Sequence, residues 1–287
     1  MRVPDHCLEH YEAEGFCIVP NFLRGEPLAR AQAALHEVWP RADDYFANPA
    51  AYPQLAKSQF SGIDLFPYPS WNLNSIPCGD AFADVARRAL HGDDVQLYKI
   101  ELWAKYAGAV DYAQLHHRDY GNHTLVVPSA DIRYRQLTTI LLLCDVTADD
   151  APTKVVPLSL TRDIPLSQRH LPAGAFADQE ISVEGPAGTL FMWRTDVFHR
   201  ASGFKAPGRA RFVMLTDFMR RGHPWMGKHA WPHQSPRKGW NEALCRMSPA
   251  QRDLFGFPPP GDPYWTPQTL ADTKGRYPKM DMTPYGG

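Results

Sequence analysis

Beyond residue 94 the chain changes to the two-residue period of strands, and it does so repeatedly before residue 220. The segments 95–106, 114–120, 137–144, 153–156, 181–183, 189–193 and 211–218 each read as a short strand, separated by Gly, Pro and Asp clusters. Side chains alternate across a strand, so elements this short must bury a face against a second sheet. Many short strands between turn signals predict a sandwich or barrel, and a double-sheet jelly roll is the natural type. The expected fold class is therefore mainly β with flanking α. It divides into a helical N-terminal part at 1–94, a jelly-roll core at 95–220 and a C-terminal extension at 221–287 packing on the core, all within one domain spanning 1–287.

The flanks follow other rules. Leu8 and Tyr11 stand at helical spacing within 5–14, and Gly15 stops that helix before the apolar burst Phe16-Cys17-Ile18-Val19-Pro20. The alanine-rich stretch 26–38 puts Leu28, Ala31, Ala34, Leu35 and Val38 on one face and ends at Pro40, and Asp80 opens a short helix through Leu90. From 41 to 78 the chain reads as aromatic loop. Beyond 221, Trp225, Trp231, Trp240, Phe255, Phe257, Tyr264 and Trp265 are too much apolar surface to leave solvated. That region is expected to pack over the barrel mouth or form a subunit contact.

Composition narrows the partners. Thirty basic residues against thirty-one acidic ones give a net charge of −1 with no Lys/Arg block, so neither nucleic acid nor an anionic membrane is expected. Five cysteines without a C-x-x-C spacing read as reduced thiols. Charged residues Asp5, Glu9 and Glu12 leave no signal-peptide core, and no apolar run reaches membrane-span length. A cytoplasmic monomer or homodimer acting on a small molecule is the expectation.

The chemistry sits in His117-Arg118-Asp119, in His199, and in Arg209 and Arg211 further on. On an extended segment His117 and Asp119 share a face, and a second imidazole delivered by the fold completes two histidines and one carboxylate. That set leaves three positions open on a metal, the arrangement of non-haem Fe(II) oxygenases. An arginine downstream has an obvious use, a bidentate grip on the distal carboxylate of an organic co-substrate. Rival readings are weaker. His116 points to the opposite face with Arg118, and His123 would make a compact set only across Gly121-Asn122, which breaks the strand. His-Arg-Asp also begins a kinase catalytic loop, but Thr124 stands where that loop needs Asn, and no glycine-rich loop is present. Trp71, Tyr112, Tyr120 and Trp193 are candidates for pocket walls, with core packing the commoner use of such residues.

Taken together, the chain resembles the phytanoyl-CoA dioxygenase family of Fe(II)/2-oxoglutarate oxygenases. The resemblance runs from Glu14-Gly15-Phe16 through Leu115-His116-His117-Arg118-Asp119, Ala151-Pro152-Thr153-Lys154-Val155-Val156-Pro157 and Ala187-Gly188-Thr189-Leu190 to His199 and the arginine strand. It implies a double-stranded β-helix, a metal held by His117, Asp119 and His199, and 2-oxoglutarate at Arg209, with Arg211 the runner-up. Fe(II), 2-oxoglutarate and O2 are the implied cofactor and co-substrates. Hydroxylation of a small metabolite with release of succinate and CO2 is the implied reaction. Desaturation, epimerisation or cyclisation are alternatives within the same chemistry, and a non-catalytic cupin-like binding module is an alternative outside it. Two departures stand out: Ala151 replaces the family's usual glycine, and Leu158-Ser159-Leu160 replaces its usual Gly-Ser-His.

Overall fold

A computed structural model of the chain describes residues 1–110, 113–123, 128, 131–222, 231 and 239–287. Nine strands are present among them: β1 (Phe16–Val19), β2 (Ile63–Leu65), β3 (Val95–Tyr106), β4 (Gln136–Leu142), β5 (Lys154–Val155), β6 (Ile181–Ser182), β7 (Leu190–Arg194), β8 (His199–Arg200) and β9 (Ala210–Arg220). Six of them form one antiparallel sheet in the order β1-β7-β4-β9-β3-β2, and the other three form a small sheet, β6-β5-β8. His117 extends the small sheet by an isolated antiparallel bridge to His199. Two sheets facing each other with crossing connections make the jelly roll.

The large sheet is buried on both faces, which is why its strands read as nearly continuous apolar runs. Alternation sorts the residues. Phe212, Met214 and Phe218 of β9, with Leu190 and Met192 of β7, join the cluster under the N-terminal helices. Val213 and Leu215, with Phe191 and Trp193, point into the barrel interior and meet Val155 of the small sheet and Val183 just beyond β6. A one-residue slip of β9 would exchange these two sets, so its register is tightly specified.

The N-terminal helices close the outer face. The helix Asp5–Glu14 ends at Gly15, whose φ of 79° is left-handed and whose N–H reaches the Tyr11 carbonyl. A side chain there would also press its Cβ within 2.4 Å of Val197, so glycine is required twice over. The burst at 16–19 becomes the edge strand β1, paired with β7.

The expected strand at 114–120 does not form. The segment is irregular, with only His117 bridged, and it turns into the helix Tyr120–His123. Its backbone bonds reach separate partners, Gln114 to Ala201, His117 to His199 and Arg118 to Arg169. A ladder shared among several loops satisfies the amides without a regular strand.

The described C-terminal residues seat on the outer side of the large sheet. Phe66, Trp231, Trp240 and Phe255 form one aromatic cluster, with Phe66 at 6.0, 5.8 and 5.3 Å from the other three. The Trp231 indole N–H donates to the Leu97 carbonyl of β3 at 2.8 Å. The stretches 223–230, with Trp225, and 232–238 lie outside the described residues. Trp240 is 4% exposed, so Trp240→Ala is expected to cost about 3–5 kcal/mol. A chemical-denaturation midpoint unchanged by that substitution would contradict this packing.

Candidate metal centre

His117 is carried by the irregular segment beside the small sheet, and His199 opens β8. The reciprocal bonds His117 N–H to His199 O (2.9 Å) and His199 N–H to His117 O (3.1 Å) fix the two residues as a pair. Two residues on, Asp119 comes back to the same side. One nitrogen from each imidazole and one Asp119 oxygen lie within 4.8 Å of one another, a group able to hold a metal ion. His199 Nε2 is 3.2 Å and His117 Nε2 3.6 Å from the two carboxylate oxygens.

The other ring nitrogens decide the fit. His117 Nδ1 lies 3.0 Å from the Leu115 carbonyl and His199 Nδ1 lies 3.1 Å from the Val197 carbonyl. A carbonyl can only accept, so each Nδ1 carries the hydrogen and each Nε2 presents its lone pair inward. This is the orientation that metal-binding histidines take from their outer partners. Burial and the neighbouring His199 push His117 down to about 4, so it is a neutral ligand at neutral pH. Burial opposes charge on His199, but Asp119 outweighs it and holds the imidazole above its ordinary value. Burial likewise works against the Asp119 carboxylate, and the imidazoles of His199, His123 and His117 overcome it. The donor set fits a divalent first-row ion.

Arg118 anchors the segment from behind. Its side chain, 2% exposed, donates to the carbonyls of Asp196 (2.8 Å), Pro165 (2.8 Å), Gln168 (3.2 Å) and Ile164 (3.3 Å). Its guanidinium also lies 4.0 Å over Phe198. His116 faces away from the centre toward Glu180 at 3.0 Å. His123 lines the same cavity but bonds elsewhere, its Nδ1 2.6 Å from the Tyr98 hydroxyl.

A cavity of ≈ 160 Å³ opens on the triad, its walls including Trp103, Ile140, Trp193, Val213 and Leu215. Arg211 lines it and Arg209 does not. Arg209 is 46% exposed at its side chain and makes a two-pronged pair with Asp150, at 2.5 and 2.7 Å. That pair pulls the Asp150 carboxyl down to about 2. Thr147 donates to the same carboxylate through its N–H and hydroxyl, so Arg209 staples a surface turn. Arg211 sits opposite Lys105 of β3, is 7% exposed, and donates to the Ala151 carbonyl.

Of the four aromatic residues named as pocket candidates, Trp193 lines the cavity, 5.2 Å from His199. Tyr120 donates its hydroxyl to the Leu166 carbonyl, Trp71 lies under Arg246 on the outer side, and Tyr112 is outside the described residues. Lys99, Glu101 and Trp103 were not singled out from sequence. They occupy successive inward positions of β3, and a polar residue at every second place of an apolar strand is the signal that marks them.

The family model for phytanoyl-CoA dioxygenase (PhyH) matches residues 11–212. The chain belongs to that family. It is accordingly a non-haem iron, 2-oxoglutarate-dependent enzyme using Fe(II), 2-oxoglutarate and O2. Among solved structures, it resembles the epimerase SnoN in complex with Fe3+, alpha ketoglutarate and nogalamycin RO. The identity is 16%, covering 75% of this chain and 83% of that one, with a TM-score of 0.53. The non-heme monooxygenase ThoJ is similar at 16% identity over 78% and 83% of the two chains, with a TM-score of 0.53. The carbocyclase SnoK from nogalamycin biosynthesis follows at 15% identity over 76% and 84%, with a TM-score of 0.50. At these identities the likeness is one of fold. No curated protein matches the chain.

The departure at Ala151 has a visible consequence. Its φ is 53°, left-handed backbone held by a residue with a Cβ. Ala151→Gly is expected to raise stability by up to about 1 kcal/mol, read as an increase in Tm. A lower Tm would contradict it.

Proposed function

We propose that the enzyme hydroxylates a small-molecule metabolite, with His117, Asp119 and His199 holding iron and Arg211 holding the distal carboxylate of 2-oxoglutarate. The observation that carries this reading is the convergence of two Nε2 lone pairs and one carboxylate on a cavity that has a buried arginine in its wall. When bound, iron supplies O2 activation coupled to oxidative decarboxylation of 2-oxoglutarate to succinate and CO2. The chain does the rest. The carbonyls of Leu115 and Val197 orient the two rings. Trp193, Val213 and Leu215 exclude water and give the substrate an apolar wall.

With iron bound, Asp119 would fill the ligand place that a halide would need, which favours oxygen-based chemistry over halogenation. Incubation with Fe(II), 2-oxoglutarate and substrate in high chloride is expected to give no chlorinated product by mass spectrometry. A chlorinated product would contradict the role of Asp119.

Desaturation, epimerisation or ring closure use the same centre, and the epimerase and carbocyclase of similar fold favour keeping them as the second reading. Screening metabolites for substrate-dependent succinate release tests the proposal, and the mass change of the product separates addition of oxygen from loss of hydrogen. Retention of all three ligands beside a buried arginine argues against a non-catalytic cupin-like module. No described helix is long and apolar enough to cross a membrane. A cytoplasmic enzyme, monomeric or homodimeric, in which the whole chain serves one oxygenase domain, completes the proposal.

A further inference from the structure

The end of the cavity away from Arg211 is built from charged groups that neither metal nor co-substrate requires. Lys99 on β3 stands opposite Asp217 on β9, six residues along that strand from Arg211. The two positions are therefore about 20 Å apart along the strand. Lys99 Nζ is 2.8 Å from Asp217 Oδ2, and the side chains are 4% and 0% exposed. Lys99 and Glu101, with Asn122 and His123, line the same cavity as the triad.

An ammonium carries three N–H donors, and Asp217 is the one partner of Lys99 among the described residues. Burial works against its charge, yet Asp217 and Glu101 hold its pKa above the ordinary amine value, so it stays an ammonium. A charged donor out of water requires acceptors. A buried ion pair is also weak as a device for stability, because apolar replacements are often neutral or better. The place where this pair gains a use is the cavity wall.

We propose that Lys99, with Glu101 beside it, is the substrate-recognition pole, donating to a carbonyl or hydroxyl oxygen of a neutral substrate. The inference rests on the oxygenase reading above. Neutrality follows from the charge count among the described residues. Burial raises the Asp217 carboxyl to about 7, so Asp217 and Glu101 together match or exceed the one ammonium; an anion would add to the negative side and a cation would meet Lys99 directly.

The test uses full-length protein loaded with Zn(II) and 2-oxoglutarate and three probes of one shape, benzamide, benzoate and benzylamine, followed by saturation-transfer NMR. Benzamide is expected to bind ahead of the other two. Lys99→Met should weaken it about tenfold and leave 2-oxoglutarate affinity, measured calorimetrically, unchanged. The double variant Lys99→Met/Asp217→Asn removes both charges together and should behave alike, which guards against misfolding of the single one. Benzoate or benzylamine binding best, no preference among the three, or unchanged benzamide binding in both variants would overturn the proposal. So would a loss of 2-oxoglutarate affinity in both variants, which would make Lys99 a co-substrate ligand. The anaerobic Fe(II)/2-oxoglutarate absorption of the wild-type protein separates the two readings. Its absence sinks the oxygenase reading, whereas its presence without a probe preference sinks the recognition pole alone.

Discussion

His199→Ala is expected to abolish turnover and remove most of the affinity for Fe(II), and His117→Ala and Asp119→Ala are expected to do the same. The three ligand atoms form one group, and two remaining ligands hold a divalent ion poorly. Substitution of an outer partner alone costs about 10–100-fold in metal affinity, so loss of a ligand should exceed that. His123→Ala is the control. It sits in the same cavity but bonds to Tyr98, and metal titration of that variant should match the wild type. Normal metal binding in His199→Ala with loss in His123→Ala would reverse the assignment.

Arg211→Ala is expected to raise the KM for 2-oxoglutarate at least tenfold, and Arg209→Ala to leave it close to the wild-type value. A bidentate guanidinium–carboxylate pair is worth roughly 2–4 kcal/mol on truncation when it is desolvated. Arg211 meets that condition at 7% exposure in the cavity wall. Arg209 does not, since both prongs of its guanidinium already bind Asp150 at the surface. Steady-state kinetics with varied 2-oxoglutarate decide the matter. A raised KM in Arg209→Ala beside an unchanged one in Arg211→Ala would restore the order suggested by spacing from His199.

The proposed exchange of Arg209 for Arg211 marks how far the sequence can be read. The two arginines lie two apart, Arg211 within β9 and Arg209 just before it, and counting from His199 cannot show that Arg209 is paired with a carboxylate. Asp150 decides it, and its approach to Arg209 is a property of the turn at 147–150. The triad was legible because His117 and Asp119 are two apart, and His199 follows a strand that returns to the same place. The strands β3, β4, β7 and β9 are legible because each is a largely apolar run of five or more residues between turn signals. β2 and β8, three and two residues long, have no period to read. The segment 114–120 carries strand-like composition, but its amides bond to several loops rather than to one neighbour. Lys99 and Glu101 do not stand out in the sequence because charged residues inside a barrel run against the usual sorting of polar groups to water.

The most direct test is the visible spectrum of the anaerobic protein. Addition of Fe(II) and 2-oxoglutarate to the wild-type chain should produce the weak visible absorption of a bidentate 2-oxoglutarate complex, and Asp119→Ala and His199→Ala should not show it. No absorption in the wild type, or the same absorption in the ligand variants, would contradict a metal centre formed by His117, Asp119 and His199.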